Sequence, residues 1–301
     1  MLRYAMQNSL IITRIIMLKV IVTGGSGQLA TAIERASRTS AHDYRIIPVE
    51  ELDICDGDAL RCALQDADIV INCAAYTDVE RAEEERDLAI KINALSVKQM
   101  ADICREKGVK LIHISTDYVF GGSSNRTMPY TEEDNTAPLN IYGESKAMGE
   151  VEALKNGDAV VVRTSWLYSP WGKNFCRTIA TLAATNETLR VVNDQRGVPT
   201  SALSLAEMLV TAIENGTWRN MRGIYHYCDG GEASWFEFAK EIVRLSGITT
   251  CDVLPCTTAE RPSKAARPQY SLMSTDRIRN ECGIVIKPWQ ECLSEVINYK
   301  E

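Results

Sequence analysis

The sequence predicts an α/β protein, a Rossmann-type doubly wound parallel sheet with a smaller C-terminal substrate-binding domain. Three observations lead there. Apolar, strand-like runs recur at 20–23, 46–49, 69–72, 111–115 and 160–163 with helical patterns between them, and such alternation builds a parallel sheet. A glycine-rich turn, Thr23-Gly24-Gly25-Ser26-Gly27-Gln28-Leu29-Ala30, separates the first run from the first helix. Beyond Ser165 the alternation gives way to a stretch holding Trp166, Tyr168, Trp171, Phe175, Pro170 and Pro199, the irregular composition of a ligand-facing portion built beyond the strand ends.

Taken in order, the first strand runs into the glycines. Gly24 permits a tight turn, Gly27 lets backbone approach a pyrophosphate, and the N–H groups opening the helix at 29–37 meet its charge. Ala30 stands where a third glycine is often found and is small enough for helix–strand packing. After the second strand comes Glu50, about twenty residues beyond the glycines, placed to bind a ribose 2′-hydroxyl and to repel a 2′-phosphate. Arg45 and Arg35 are the cations that could approach such a phosphate. A helix at 59–65 leads to the third strand and to Ala74-Ala75-Tyr76-Thr77, whose small residues let a flat ligand lie close. A long helix at 86–107 precedes the strand 111–115, where His113 reads as a satisfied core histidine. Ser115-Thr116-Asp117-Tyr118 closes that strand at the same sheet edge. The helix at 141–154 carries Tyr142 and Lys146 at i and i+4, on one face, so that an ammonium lies near a phenol and favours its ionised form. A tyrosine so placed can exchange a proton near neutral pH. The segments 200–214 and 223–228 are read as returning to the first domain, and a helix at 234–245 and a tail at 255–268 complete the smaller part. The domain reading is thus 17–165 for dinucleotide binding, with 196–228 returning to it, and 166–301 mainly for substrate.

With 301 residues, 45% of them hydrophobic, the chain has ample material for such a core. A net charge of −7 argues against a nucleic-acid surface or an anionic membrane as partner. Ten cysteines without a Cys-x-x-Cys pair read as free thiols of a reducing cytoplasm. The three histidines make no zinc-type cluster with them. Near the start, Leu10-Ile11-Ile12-Thr13-Arg14-Ile15-Ile16 is apolar but too short to span a bilayer. Met17-Leu18-Lys19 runs straight into the first strand, so residues 1–16 are expected to be a non-native or disordered extension.

Together these segments resemble the extended short-chain dehydrogenase/reductases, and more narrowly the dTDP-4-dehydrorhamnose reductase family, from Met17 to the C-terminus. The narrower marks are Gly27-Gln28-Leu29, Leu52-Asp53-Ile54, Ser115-Thr116-Asp117-Tyr118-Val119-Phe120, Pro138-Leu139-Asn140-Ile141-Tyr142-Gly143, Arg163-Thr164-Ser165-Trp166, Asn193-Asp194-Gln195 with Gly197 and Pro199-Thr200, and Ala266-Arg267-Pro268 with Ser271. The resemblance implies a catalytic trio of Thr116, Tyr142 and Lys146, in which Tyr142 protonates a sugar C4 oxygen, Lys146 holds the cofactor ribose and lowers the tyrosine pKa, and Thr116 bonds the same carbonyl. Cofactor contacts are expected from Gly24, Gly27, Gln28, Leu29, Glu50, Asp53, Ile54, Ala74, Ala75, Tyr76, Thr77, Tyr142 and Lys146. Substrate contacts are expected from Thr77, Thr116, Asp117, Tyr118, Tyr142, Trp166 and Asn174. NADPH is the implied cofactor, with NADH as second choice, and a dTDP-sugar is the implied small-molecule partner; a homodimer is compatible with the family. Some members bind magnesium through a glutamate on the first helix; Ala32 holds that position here, so no metal is expected. Nucleotide-sugar 4,6-dehydratases resemble the same scaffold but carry Asp-Glu where this chain has Asp117-Tyr118, which leaves carbonyl reduction without elimination. The activity so implied is the last step of rhamnose supply for surface polysaccharides. A reductase for another 4-keto-6-deoxy sugar and a non-catalytic relative such as the methionine adenosyltransferase regulatory subunit stay open at this point.

Overall fold

The computed structural model describes residues 17–122 and 126–300; the expectation for residues 1–16 lies outside them. Six parallel strands form the central sheet in the order β10-β5-β4-β3-β1-β2. In chain order the elements begin β1 (Lys19–Thr23), α1 (Gln28–Ala36), β2 (Asp43–Ile47), α2 (Gly57–Ala63), β3 (Ile69–Asn72), α3 (Val79–Ala82), α4 (Arg86–Ile90), α5 (Ser96–Lys107), β4 (Lys110–Thr116), α6 (Ile141–Leu154) and β5 (Val160–Thr164). There follow β6 (Leu167–Tyr168), α7 (Phe175–Ala183), β7 (Thr188–Val192), β8 (Arg196–Gly197), β9 (Thr200–Ser201), α8 (Ala202–Glu214), β10 (Gly223–His226), β11 (Ala233–Ser234), α9 (Trp235–Leu245), β12 (Asp252–Cys256), α10 (Asp276–Cys282) and α11 (Trp289–Ile297).

The central strands are buried and mostly apolar, as expected of strands covered on both faces. On one face Leu29 and Ile33 of α1 pack with Leu205 and Leu209 of α8 against Val20, Val22, Ile71 and Val162. On the other, Leu60 and Leu64 meet Val97, Met100 and Cys104 over Ile21, Val70 and Leu111. The chain runs from β1 outward to β2 and then back across to β3, so the order reverses between β1 and β3. Ligands of open parallel sheets bind at that reversal, outside the carboxyl ends of the strands.

Two elements differ from the sequence reading for clear reasons. The second strand is Asp43–Ile47 rather than 46–49: Pro48 has no N–H to continue a ladder, while an edge strand with one wet face tolerates Asp43 and Arg45. The helix expected at 86–107 is interrupted by a π-helical segment, Lys91–Leu95, between α4 and α5. There the Asn93 carboxamide leaves the helix to bracket Tyr76, accepting from its N–H at 2.8 Å and donating to its C=O at 3.0 Å. α6 begins and ends as the pattern predicts, with Asn140 capping it through Gly143 N–H.

From β6 onwards, a separate cluster of Tyr168, Ile179, Phe238, Ile242, Trp289 and Leu293 forms a second apolar core. Ser234 starts α9 with a capping box to Glu237. All ten cysteines are free, six of them buried. No helix among the described residues is long and apolar enough to cross a membrane.

Candidate active site

A cavity of about 870 Å³ opens over the carboxyl ends of β1, β3, β4 and β5. Its floor at the sheet reversal is the glycine turn. Gly24 has φ of 73°, and a Cβ there would sit 2.8 Å from the Ala74 backbone, so only glycine allows this approach of the two loops. Gly27 takes the N-cap position of α1 without any side-chain cap, which leaves the first N–H groups of that helix open towards the cavity. Uncapped helix N–H groups behind a glycine turn fit a pyrophosphate. Leu29, Asp53, Ile54, Ala75 and Thr77 line the same space.

Thr116, Asp117, Tyr118, Tyr142 and Lys146 line the middle of the cavity. Tyr118 meets Tyr142 edge-on, with ring centroids 5.6 Å apart. Thr116 shares hydrogen bonds with Tyr142 and with Asp117, the latter at 3.2 Å. Loss of hydration pushes the Tyr142 phenol well above its usual range, and the Thr116 bond only partly offsets this. This corrects the expectation that Lys146 favours the ionised phenol. The Lys146 ammonium is turned to the Ile114 carbonyl at 2.6 Å and lies 3.4 Å from His113 Nε2. Burial pushes Lys146 down to about 8, with Glu150 and then Cys73 acting in the opposite sense. Tyr142 is thus a protonated phenol at neutral pH, suited to giving a proton rather than taking one.

Asp117 is fully enclosed. Ser271 donates to it at 2.6 Å from the far end of the chain. Burial pushes its carboxyl up to about 7, with the Ser271 and Thr116 bonds pulling back. A carboxyl whose folded pKa lies above the unfolded 3.8 binds extra protons between those values, so folding weakens as pH rises from 3.8 to about 7. Asp117→Asn is therefore expected to stabilise the protein by about 2 kcal/mol or more at about pH 8.5, at ~1.4 kcal/mol per unit, and to do little at about pH 4. Urea unfolding at the two pH values checks this; an equal effect at both would mean that folding does not raise the Asp117 pKa.

One wall is aromatic. Trp166 stacks on Trp235 with centroids 3.5 Å apart and planes 7° from parallel, and Phe175 packs against Trp235 at 4.6 Å. Trp166 has φ of 44°, the only positive value outside glycine among the described residues. That conformation costs about 1–2 kcal/mol. It is held by the Trp235 stack and by Gly197, where a Cβ would lie 2.5 Å from the indole. Trp235 was not anticipated; a tryptophan directly after the capping Ser234, inside its Ser-x-x-Glu box, gives no local sign that it reaches a site built by β5.

Three expected residues sit differently. Glu50 does not line the cavity; its carboxylate accepts from Ser26 at 3.2 Å at the exposed rim. Tyr76 points its hydroxyl to Glu85 at 2.6 Å, outside the lining. Asn174 lines the cavity, but its amide caps α7 and donates to Gln28 at 2.9 Å and to two backbone carbonyls. It braces Gln28, which Ser169 also holds at 2.9 Å. Neither Arg35 nor Arg45 is among the lining residues; Arg35 lies over the Trp171 and Tyr299 rings.

The remote C-terminal motif finds its reason here. Arg267 bonds the Tyr118 hydroxyl and pairs with Glu80 at 2.6 Å, and Asn140 donates to the Ala266 carbonyl at 2.8 Å. The tail therefore straps the end of β4 to the start of α6, the two segments that present Thr116 and Tyr142.

Residues 18–301 match the family model described as the RmlD substrate binding domain. The chain is 38% identical to the spore coat polysaccharide biosynthesis protein SpsK of Bacillus subtilis (strain 168), over 93% of this chain and 97% of that one. It is 36% identical to a dTDP-4-dehydrorhamnose reductase of Sinorhizobium fredii (strain NBRC 101917 / NGR234), with the same coverage. A crystal structure of dTDP-4-dehydrorhamnose reductase from Bacillus anthracis str. Ames in complex with NADP superposes with a TM-score of 0.87 at 38% identity, covering 93% of this chain and 99% of that one. With the model match spanning nearly the whole chain and relatives more than a third identical over almost their full length, the protein belongs to the dTDP-4-dehydrorhamnose reductase family of extended short-chain dehydrogenase/reductases.

Proposed function

We propose that this protein reduces the C4 keto group of dTDP-4-dehydro-β-L-rhamnose, giving dTDP-L-rhamnose, with NADPH as reductant. The observation that carries the reading is the half-buried, protonated Tyr142 in hydrogen-bond contact with Thr116, in one cavity with an uncapped, glycine-led helix N-terminus. When bound, NADPH supplies the hydrogen and electron pair that reduce the carbonyl carbon. Gly24, Gly27 and the N–H groups of α1 hold its pyrophosphate; Ala74 and Ala75 leave room for its flat portion. Tyr142 gives its proton to the C4 oxygen, Thr116 holds that oxygen in line, and Lys146 holds the ribose. Tyr118 in place of an acidic residue leaves no base for eliminating water.

The Bacillus anthracis relative crystallised with NADP supports NADPH, while Glu50 beside Ser26 disfavours a 2′-phosphate near the rim. The decisive measurement is oxidation of NADPH and NADH in parallel on dTDP-4-dehydrorhamnose generated in place, with NMR of the sugar product. dTDP-L-rhamnose is the expected product, with NADPH oxidised faster; another epimer, or no oxidation by a protein that binds cofactor, would overturn the assignment. The SpsK relative, named for spore coat polysaccharide, agrees with supply of a sugar to surface polymers.

Trp166 and Trp235 form the sugar-side wall in this reading. Trp166→Ala is expected to raise the sugar-nucleotide KM about 10-fold, the ~1.4 kcal/mol of one aromatic contact, with a smaller change in kcat. Steady-state kinetics at saturating NADPH tests this, and an unchanged KM would return Trp166 to the core.

A further inference from the structure

His113 is completely buried, so its two ring nitrogens have only the partners that the fold provides. Nδ1 lies 3.1 Å from Asn72 Nδ2, and Nε2 lies 3.4 Å from Lys146 Nζ. A neutral imidazole has one N–H and one lone pair, so one of these contacts must be accepted and the other donated. Which is which is settled two residues away. The backbone N–H of Ala74 can only donate, and it points at Asn72 Oδ1 at 3.2 Å. The Thr23 hydroxyl donates to the same oxygen at 2.7 Å. Turning the Asn72 amide over would set its NH₂ against the half-buried Ala74 N–H, leaving that donor unmet. Asn72 therefore presents its NH₂ to His113 Nδ1, which must accept, and the ring proton is on Nε2. The partner of that proton is Lys146, which accepts only if its nitrogen has a free lone pair.

We propose that His113 is a positioning residue which, through the one-way chain Ala74 N–H to Asn72 to His113 to Lys146, disfavours the cationic form of Lys146 in the cofactor-free protein. The amine still donates to the Ile114 carbonyl at 2.6 Å, so both contacts of Nζ are met. Of the other ionisable groups around Lys146, Glu150 is the main one that opposes this. On α6, Glu150 favours the cation but is engaged by the buried Arg163 of β5 at 2.7 Å and by Ser115 at 2.5 Å. Cys73, after β3, is a protonated thiol pushed up to about 12 by burial, and Tyr142 is a protonated phenol. His113 itself is held far below its ordinary range by burial and by Lys146, so it stays neutral and keeps a single ring proton.

The consequence for turnover rests on the reductase reading: if Lys146 acts as a cation, kcat/KM falls as pH rises through the Lys146 midpoint, near 8. The inference itself is tested without turnover. Nitrogen-15 NMR of the histidine-labelled, full-length apo protein reads the tautomer directly, and with three histidines in the chain the assignment is simple. A pyridine-type shift at His113 Nδ1 with a pyrrole-type shift at Nε2 is expected; the reverse pattern overturns the proposal. In the second arm, lysine side-chain NMR titration follows Lys146, its signal identified by loss in Lys146→Arg. His113→Asn keeps an acceptor for Asn72 but reaches nothing at Lys146, so the Lys146 midpoint is expected to rise by about one unit or more. A midpoint equal to wild type, or a wild-type Lys146 titrating with the surface lysines, overturns it. If the midpoint moves and the alkaline limb of kcat/KM does not, the tautomer assignment stands and the cationic role of Lys146 in the reductase reading falls.

Discussion

Tyr142→Phe is expected to lower turnover by about 10²-fold or more while cofactor affinity stays close to that of the parent, because a general acid is lost and little contact area goes with it. The size of the effect follows from where the proton resides. The phenol is half-buried against Tyr118 and Thr116, and loss of hydration raises its pKa, so the hydroxyl is fully loaded with its proton at neutral pH. No neighbour replaces it: the Thr116 hydroxyl is a far weaker acid, and Asp117, pushed up to about 7, is engaged by Ser271 and Thr116. Removing one hydroxyl disturbs the fold little, since the Tyr118–Tyr142 ring contact persists in phenylalanine. Single-turnover reduction with a fluorescence titration of NADPH separates the two quantities. Turnover within a few-fold of the parent would take Tyr142 out of the role.

How far the site could be read from sequence depended on whether its residues follow from local rules. The glycine turn, Ala74 and Ala75, Thr116, Tyr142 and Lys146 stand at strand ends or on one helix, positions fixed by the β-α-β order, and the fold brings them to one cavity. The Tyr142–Lys146 spacing predicts a shared helical face but not where Nζ turns. That is decided by the Ile114 carbonyl and His113, partners contributed by β4 rather than by the helix itself. Trp235 and the hydrogen bond from Ser271 to Asp117 escape sequence reasoning for the same reason, since the latter joins residues 154 positions apart. The edge strand β2 was displaced because an apolar run marks burial, and an edge strand is only half buried. Tyr76 follows β3 as the sequence indicates, but its hydroxyl turns to Glu85 rather than into the cavity. The Asn93 bracket of the π-segment aims its side chain at Glu85.

Glu150→Ala is expected to destabilise the protein by about 3–5 kcal/mol, because it strands a buried guanidinium. Arg163 and Glu150 are 2% and 3% exposed and form a two-pronged pair, Nε to Oε1 at 2.8 Å and the terminal nitrogen to Oε2 at 2.7 Å. In the mutant, Arg163 keeps only the His226 nitrogen at 3.3 Å and the face of Phe120 at 4.9 Å, neither of which carries a neutralising charge. Burial and this same guanidinium hold His226 down to about 3, so it stays neutral and adds no second cation. Replacing both partners at once, Glu150→Leu with Arg163→Met, removes the stranded charge together with the cost of dehydrating the pair. Stability is then expected to return to within about 1–2 kcal/mol of the parent. Urea denaturation of the two single variants and the double variant at neutral pH measures the coupling. A single-variant loss under about 1 kcal/mol, the scale of an exposed ion pair, would mean that water reaches Arg163. Glu150 also links this pair to the site: it is the main group favouring the Lys146 cation. Its loss should therefore lower the Lys146 midpoint further, the opposite of the shift expected for His113→Asn.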